Sequence, residues 1–336
     1  MQTAEHQQVR HGARSSTFVL DSPFRPDLIS GARRGRERMS ETTTIVLAAL
    51  LMNLAYLAAI IFAAVALARL LPRKRAAIAS ARSSRIRGRM TRMMRPTLLM
   101  TPTTQPGFSK MGGQPELPKG QAWPSGDELP LSFLAQIDLA ETRAAGGPDW
   151  LPADGRLYAF YDDPRLGLAD VVRVIHSREP ADEAAPHPAD LSPKLRFTER
   201  RVAFLRLRSI PSLDWLGVDV RELDDGVALD ELADLPDEPF GDELQHRIGG
   251  YPSEIQEEQM ALSCERIRRG RDPYEDEEPT PAMQRASKAW RLLLQIDSDP
   301  GLKMNWGDGG ILYVFIREQD ARKGDFSKTV AIAQTY

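Results

Sequence analysis

The chain has 336 residues, 42% hydrophobic and 27% charged, a balance that excludes a disordered protein and leaves room for one large domain or two small ones. The net charge of -3 hides an asymmetry, because residues 1–115 hold 18 Lys and Arg against 5 Asp and Glu while the remainder holds 26 against 42. A basic arm before an acidic body suits an arm that meets an anionic surface and a body that stays soluble in the cytosol. The single cysteine, Cys264, excludes an internal disulfide and fits a reducing compartment.

Residues 1–41 read as a disordered tail. Met39, followed by "SETTT", is an alternative start that would remove the arginines before the next element. Residues 42–68 contain no charge, and at about 1.5 Å per residue they span a hydrocarbon core of roughly 30 Å as a transmembrane helix. A buried core helix is not apolar on all faces over such a length. A cleaved signal peptide, which "ALA" at 66–68 suggests, has a shorter apolar core and is not followed by a stretch that resists translocation.

That stretch, Arg69 to Arg95, carries ten Lys or Arg and no acid. The positive-inside rule keeps it in the cytoplasm, so the reading is a single pass through the inner membrane, N-out and C-in. Ile86, Met90, Met93 and Met94 share one helical face. The segment is therefore either a short helix on anionic lipid headgroups or a basic tether. It has no aromatic residue to stack on bases, which argues against nucleic acid. Residues 96–106, "PTLLMTPTTQP", complete a 69–107 segment as an extended linker.

The body, 108–336, repeats itself. "GGQP" at 112–115 is answered by "GGYP" at 249–252, "FLAQID" at 133–138 by "LLLQID" at 292–297, and "GRLYAF" at 155–160 by "GILYVF" at 310–315. Matches in one order indicate a duplicated unit, with halves at about 108–210 and 240–336. Gly112, Gly113, Gly249 and Gly250 read as turns, and the apolar runs after them as strands. "VVRVIHS" at 171–177 and "RVAFLRL" at 201–207 are further strands, separated by a Pro-rich loop, with acidic helical segments following at 227–235. Ser253 and Gln256 have the spacing of a capping box for a helix running through Arg269, with Met260, Cys264 and Ile267 on its apolar face and Gly270 as its stop. Residues 270–281 read as a charged, disordered loop. The fold class is α+β: a single, mainly antiparallel β domain of two pseudo-symmetric halves behind a transmembrane helix.

"GGQPELPKGQAWP" at 112–124, "PLSFLAQIDL" at 130–139, "HRIGGYPSEIQ" at 246–256, "LLLQIDSD" at 292–299 and "WGDGGILYVFI" at 306–316 together resemble the YwqG-like family of uncharacterised bacterial domains. The resemblance covers residues 108–336 and implies a mixed α+β domain of two related halves. It brings no catalytic residue with it.

Asp297, Asp299 and Asp308 lie near Trp306, and carboxylates so spaced can hold a divalent cation or work as an acid/base pair, with Trp306 stacking on a sugar or base. In the plain structural reading, Asp297 and Asp308 cap turns and Trp306 fills the core. His246 precedes the second glycine turn, where the first half has Lys110 and Met111, and Gln256 follows that turn. The candidate ligand site is thus His246, Gln256, Asp297, Asp299, Trp306 and Asp308. No metal-ligand, nucleophile-elbow or phosphate-loop signature is present, and Cys264 reads as a core residue. Two readings stay open: a membrane-tethered module that binds a protein or small ligand between its halves, or a metal-assisted hydrolase using Asp297, Asp299 and Asp308 with His246. No cofactor is specified.

Overall fold

The computed structural model describes residues 41–126, 129–162, 172–216, 245–256 and 259–335. The expected disordered tail, the Met39 start and the acidic segments at 227–235 lie outside them. The chain divides into two units, Met1–Ala68 and Arg69–Tyr336. In the first, Thr44–Leu67 is a 24-residue stretch of helix, long and apolar enough to cross a membrane and nowhere buried by protein. It belongs to α1, Glu41–Met93, a single helix of 53 residues, so the basic stretch forms no separate short helix.

In the second unit the apolar stripe at the end of α1 does not face lipid. Ile86 and Met90 are each 6% exposed, and only Met93 is open, at 39%. Arg89 donates to the Leu216 carbonyl at 3.1 Å, and Tyr251 donates to the Met93 carbonyl at 2.9 Å. Arg95 then lies over the Tyr251 ring, 4.1 Å from its centroid, and 5.5 Å from that of Trp215, contacts that strengthen when desolvated.

The expected linker is also corrected, since Arg95–Pro102 is a strand, β1. Its prolines sit near the two ends, where a missing N–H does least harm; β6 pairs with it along its whole length and β7 with Thr97–Leu99. The remaining strands are β2 (Lys110–Met111), β3 (Ser132–Asp138), β4 (Arg156–Tyr161), β5 (Val172–Ser177), β6 (Arg200–Ser209), β7 (Arg247–Gly249), β8 (Trp290–Asp297), β9 (Ile311–Arg317) and β10 (Val330–Gln334). All pairings are antiparallel, in the order β10-β9-β8-β7-β1-β6-β2-β3-β4-β5. Among the described residues the α-helices after α1 are α2 (Leu139–Ala144), α3 (Leu213–Leu216), α4 (Met260–Arg268), α5 (Pro281–Ser287) and α6 (Glu318–Arg322).

The sheet curls until its edges nearly meet. A turn at Phe326–Lys328, just before β10, lies against β5, with the Phe326 and His176 rings 5.3 Å apart. One cluster fills the inside, including Leu98, Met100, Ile137, Leu157, Val174, Val202, Ile248, Leu294, Leu312 and Val314. On the outside, Phe133, Tyr158 and Phe160 pack with Leu117 and Leu131, while Trp290, Leu292, Tyr313 and Phe315 lie under Met260, Ala261 and Cys264 of α4. This is why "RLYAFY" and "ILYVFI" are nearly continuous apolar runs: alternate residues enter two different cores. Cys264 is fully buried, which pushes its thiol well up.

Two loop expectations change. Helix α4 starts at Met260 with Gln259 as N-cap and no side-chain cap bond, so Ser253 and Gln256 form no capping box; both are engaged elsewhere. Residues 270–281 are pinned, because Arg271 pairs with Glu275 and Glu277 and Arg266 donates to the Pro273 and Glu277 carbonyls. Gly270 does stop α4, at φ 70°.

Candidate functional site

The two glycine turns are held by one hydrogen-bond scheme written twice. Gln136 accepts from the Glu116 amide at 2.9 Å and donates to the Phe108 carbonyl at 2.8 Å. Gln295 accepts from the Ser253 amide at 3.0 Å and reaches the Gln245 carbonyl at 3.4 Å. The tyrosine paired across from each glutamine finishes the clamp: Tyr158 donates to the Glu116 carbonyl at 2.9 Å and Tyr313 to the Ser253 carbonyl. Gln136 and Gln295 are each fully buried, so a polar residue inside an apolar run is there to satisfy a loop backbone that water cannot reach.

All four turn glycines have φ between 60° and 80°, a region that disfavours a side chain. At Gly112 a Cβ would also stand 2.2 Å from the Thr198 carbonyl oxygen.

His246 and Asp299 meet at one end of the curled sheet. The imidazole Nδ1 accepts the Asp297 amide proton at 3.2 Å, and Nε2 lies 3.2 Å from Asp299 Oδ2. Those partners set the tautomer: Nδ1 must be bare, so Nε2 carries the proton and donates it to the carboxylate. Asp299 is 2% exposed. Its Oδ1 accepts from the Gly301 and Leu302 amides at 2.7 and 3.3 Å, and its Oδ2 also takes Arg200. Burial would raise the Asp299 carboxyl, but bonds from Arg200, His246 and Gly301 outweigh it and hold the pKa below the usual range. Burial lowers the His246 pKa, and Asp299 and Asp297 offset this only in part.

The other candidates separate. Asp297 Oδ2 accepts from the Gln245 amide at 2.6 Å. Trp306 is 1% exposed inside the sheet, edge-on to Tyr161 and Phe197 with centroids 5.8 and 5.9 Å away. Asp308 is exposed on the turn after it. Gln256 is exposed and donates to the Thr335 carbonyl at 3.0 Å. Only His246, Asp297 and Asp299 belong together, and no group of three metal-type ligands occurs among the described residues. Arg200 was not anticipated, since an Arg-Arg pair opening a strand carries no distinctive signal. Nor do Lys110 and Met111 occupy the place of His246 in the N-terminal motif. Ser109 does, its Oγ accepting the Asp138 amide at 2.9 Å.

The histidine gives a signed pH prediction. The unfolded chain takes up a proton near 6.5 while the folded imidazole resists it, so the unfolded state binds more protons on the acid side. The His246 contribution is complete above pH 6.5 and is lost as pH falls toward the lower folded pKa. His187 is also shifted down by burial and adds in the same direction. The melting temperature should therefore fall between pH 7.5 and 5, and His246→Ser should flatten part of that slope. An unchanged slope would remove His246 from the account.

A curled antiparallel sheet with one polar-plugged end and two clamped glycine turns defines an α+β domain whose repeated polar residues serve its scaffold. The chain belongs to the family described as "Domain of unknown function", DUF1963, whose model matches residues 109–334. The match begins after β1, yet β1 pairs on both sides with strands inside the matched region. No curated protein matches this chain.

Proposed function

We propose that this protein is a membrane-held binding module: an N-out, C-in single pass of the inner membrane that carries an acidic body in the cytosol and takes a ligand between two halves. The anchor reading is supported by Thr44–Leu67 and by the ten Lys and Arg of Arg69–Arg95, a segment we also assign to anionic headgroups through exposed residues such as Arg85 and Arg92. Within its family we place the body with the YwqG-like domains on the motifs quoted above.

We read β1–β5 and β6–β10 as two copies of one unit, a division that moves β6 out of the first half. In support, β1 and β6 pair at the centre of the sheet, β1 pairs with β7, and β6 pairs with β2. The Met100 amide bonds to the His246 carbonyl at 2.8 Å as the Val202 amide bonds to that of Ser109 at 3.2 Å. Register shifts fall at Phe133/Ala135 and Leu292/Leu294, one residue before each glutamine.

The observation that carries the binding reading is a groove of 590 Å³ at the seam of the sheet. Gln121, Trp123, Val172 and Val174 line it from the first copy, and Phe326 and Ser327 from the second. Its volume is that of small-ligand sites, and it bares the outer edge of β5. The hydrolase alternative has less support, because both nitrogens of His246 and both oxygens of Asp299 are committed to internal partners. The test is a thermal-shift screen of the full chain against a metabolite library, repeated with Gln121→Trp, which fills the groove from an exposed loop position. Stabilising compounds should lose their effect in that variant and keep it in Tyr274→Ala, on a separate cleft lined by Arg266 and Pro273. Shifts that survive Gln121→Trp, or an enzymatic turnover abolished by His246→Gln, would overturn the assignment.

A further inference from the structure

The groove at the seam is shaped by a strand edge. Val172, Arg173, Val174 and Ile175 all line it, although successive side chains of a strand point to opposite faces of the sheet. Four consecutive residues line one groove when it runs along the edge of their strand, beside the N–H and C=O groups that face away from β4. Strands β5 and β10 stand at the two ends of the strand order, and no ladder joins them. The Phe326 ring against His176 props the seam at one end of β5. Among the described residues no backbone group bonds to 172–175 from the open side.

Edges of this kind are ordinarily guarded by lysine, proline or a bulge. Strand β5 has an unbroken register with β4 and holds neither lysine nor proline. Its open row of main-chain groups is satisfied by another extended chain, and the walls restrict which one. Trp123 packs with the outer cluster around Phe160 while Phe326 belongs to the inner one. The groove is thus walled on both faces of the sheet and admits a single strand rather than the broad edge of a second copy. At about 3.3 Å per residue, the stretch of β5 that lines it spans ~13 Å, room for four or so residues. Charge adds a preference. Arg173 is exposed and reaches the Val172 carbonyl at 3.3 Å, and among the described residues no carboxylate pairs with it and no acid lines the groove. We propose that the ligand of the seam groove is a short extended peptide, added as a strand to the open edge of β5, with apolar residues beside Val172 and Val174 and an acidic residue beside Arg173. This rests on the groove reading above and names its ligand class.

The test adds the acetylated and amidated pentapeptide Thr-Val-Glu-Val-Thr, whose residue order is the same in either strand direction, to the full chain in detergent. At millimolar concentration it should raise the melting temperature and slow amide exchange across 172–175. N-methylation at its two valines and its glutamate removes the main-chain donors and should abolish both effects. Replacing its glutamate by glutamine, or introducing Arg173→Gln in the chain, should weaken binding about two- to fivefold, the range of an opposite-charge cross-strand pair. The two changes together should cost no more than either alone. Gln121→Trp should remove binding. A methylated peptide that binds as well, or binding that survives Gln121→Trp, overturns strand addition at β5. Slow exchange at 172–175 that follows protein concentration without peptide also overturns it and gives the edge to a second copy. If metabolites give shifts that Gln121→Trp removes while the pentapeptide changes neither melting nor exchange, the peptide proposal falls and the groove reading stands. If Gln121→Trp removes no shift of either kind, both fall.

Discussion

Truncating Asp299 to alanine should destabilise the body by about 3–5 kcal/mol, the range for breaking a buried ion pair by removing one partner. The carboxylate takes Arg200 and His246 on one oxygen and the Gly301 and Leu302 amides on the other. Its loss strands two amide donors and leaves the part-exposed Arg200 guanidinium without its carboxylate. Asp299→Asn keeps an acceptor for the two amides and should cost less. Arg200→Met alone should also destabilise, and the pair Asp299→Asn with Arg200→Met should cost less than the two single changes summed, because each removes what the other would leave unpaired. Urea unfolding in detergent, followed by tryptophan fluorescence, measures this. A loss below 1 kcal/mol for Asp299→Ala would show that the network is ornamental to stability.

Replacing either clamp glutamine by leucine should cost about 2–4 kcal/mol, since each change leaves a buried amide and a carbonyl without partners at ~1–3 kcal/mol per stranded group. Side-chain volume hardly changes, so the loss is one of hydrogen bonding rather than packing. Tyr158→Phe and Tyr313→Phe each remove a single bond and should cost about 1 kcal/mol. Amide exchange separates this from a general loosening. Glu116 should exchange faster in Gln136→Leu and Ser253 faster in Gln295→Leu, each without the other. Loss of protection at both turns from either change would mean the clamps are not local devices.

Much of the scaffold was legible because its signals are local. The glycine turns show as Gly-Gly-x-Pro, and the two-sided strands as apolar aromatic runs. Proline misled at β1: "PTLLMTP" has the composition of a linker, and only pairing with β6 and β7 makes it a central strand. Methionine misled at the end of α1, where a lipid-facing stripe and a protein-facing one have the same spacing. The Ser253–Gln256 pair has capping-box chemistry, but Ser253 instead bonds Gln245 and Arg247 while Gln256 holds Thr335.

The candidate site was legible as residue types and not as an assembly. His246, Asp297 and Asp299 stand out in a sequence, but Arg200 lies about a hundred positions from Asp299, and nothing local announces that they meet. Trp306 and Asp308, two residues apart, go to opposite environments because one fits the interior of the curled sheet and the other stays on a glycine turn.

An apolar span, a basic flank, an acidic body and three short motifs that each occur twice are properties of composition and short-range order, and the amino-acid sequence settles them. Which carboxylate is buried, which tautomer His246 holds and where the sheet leaves its seam open depend on contacts between residues far apart in the chain. Those follow from the curl of the sheet, because closure brings β5 against the Phe326 turn and Arg200 against Asp299 at positions that no local pattern encodes.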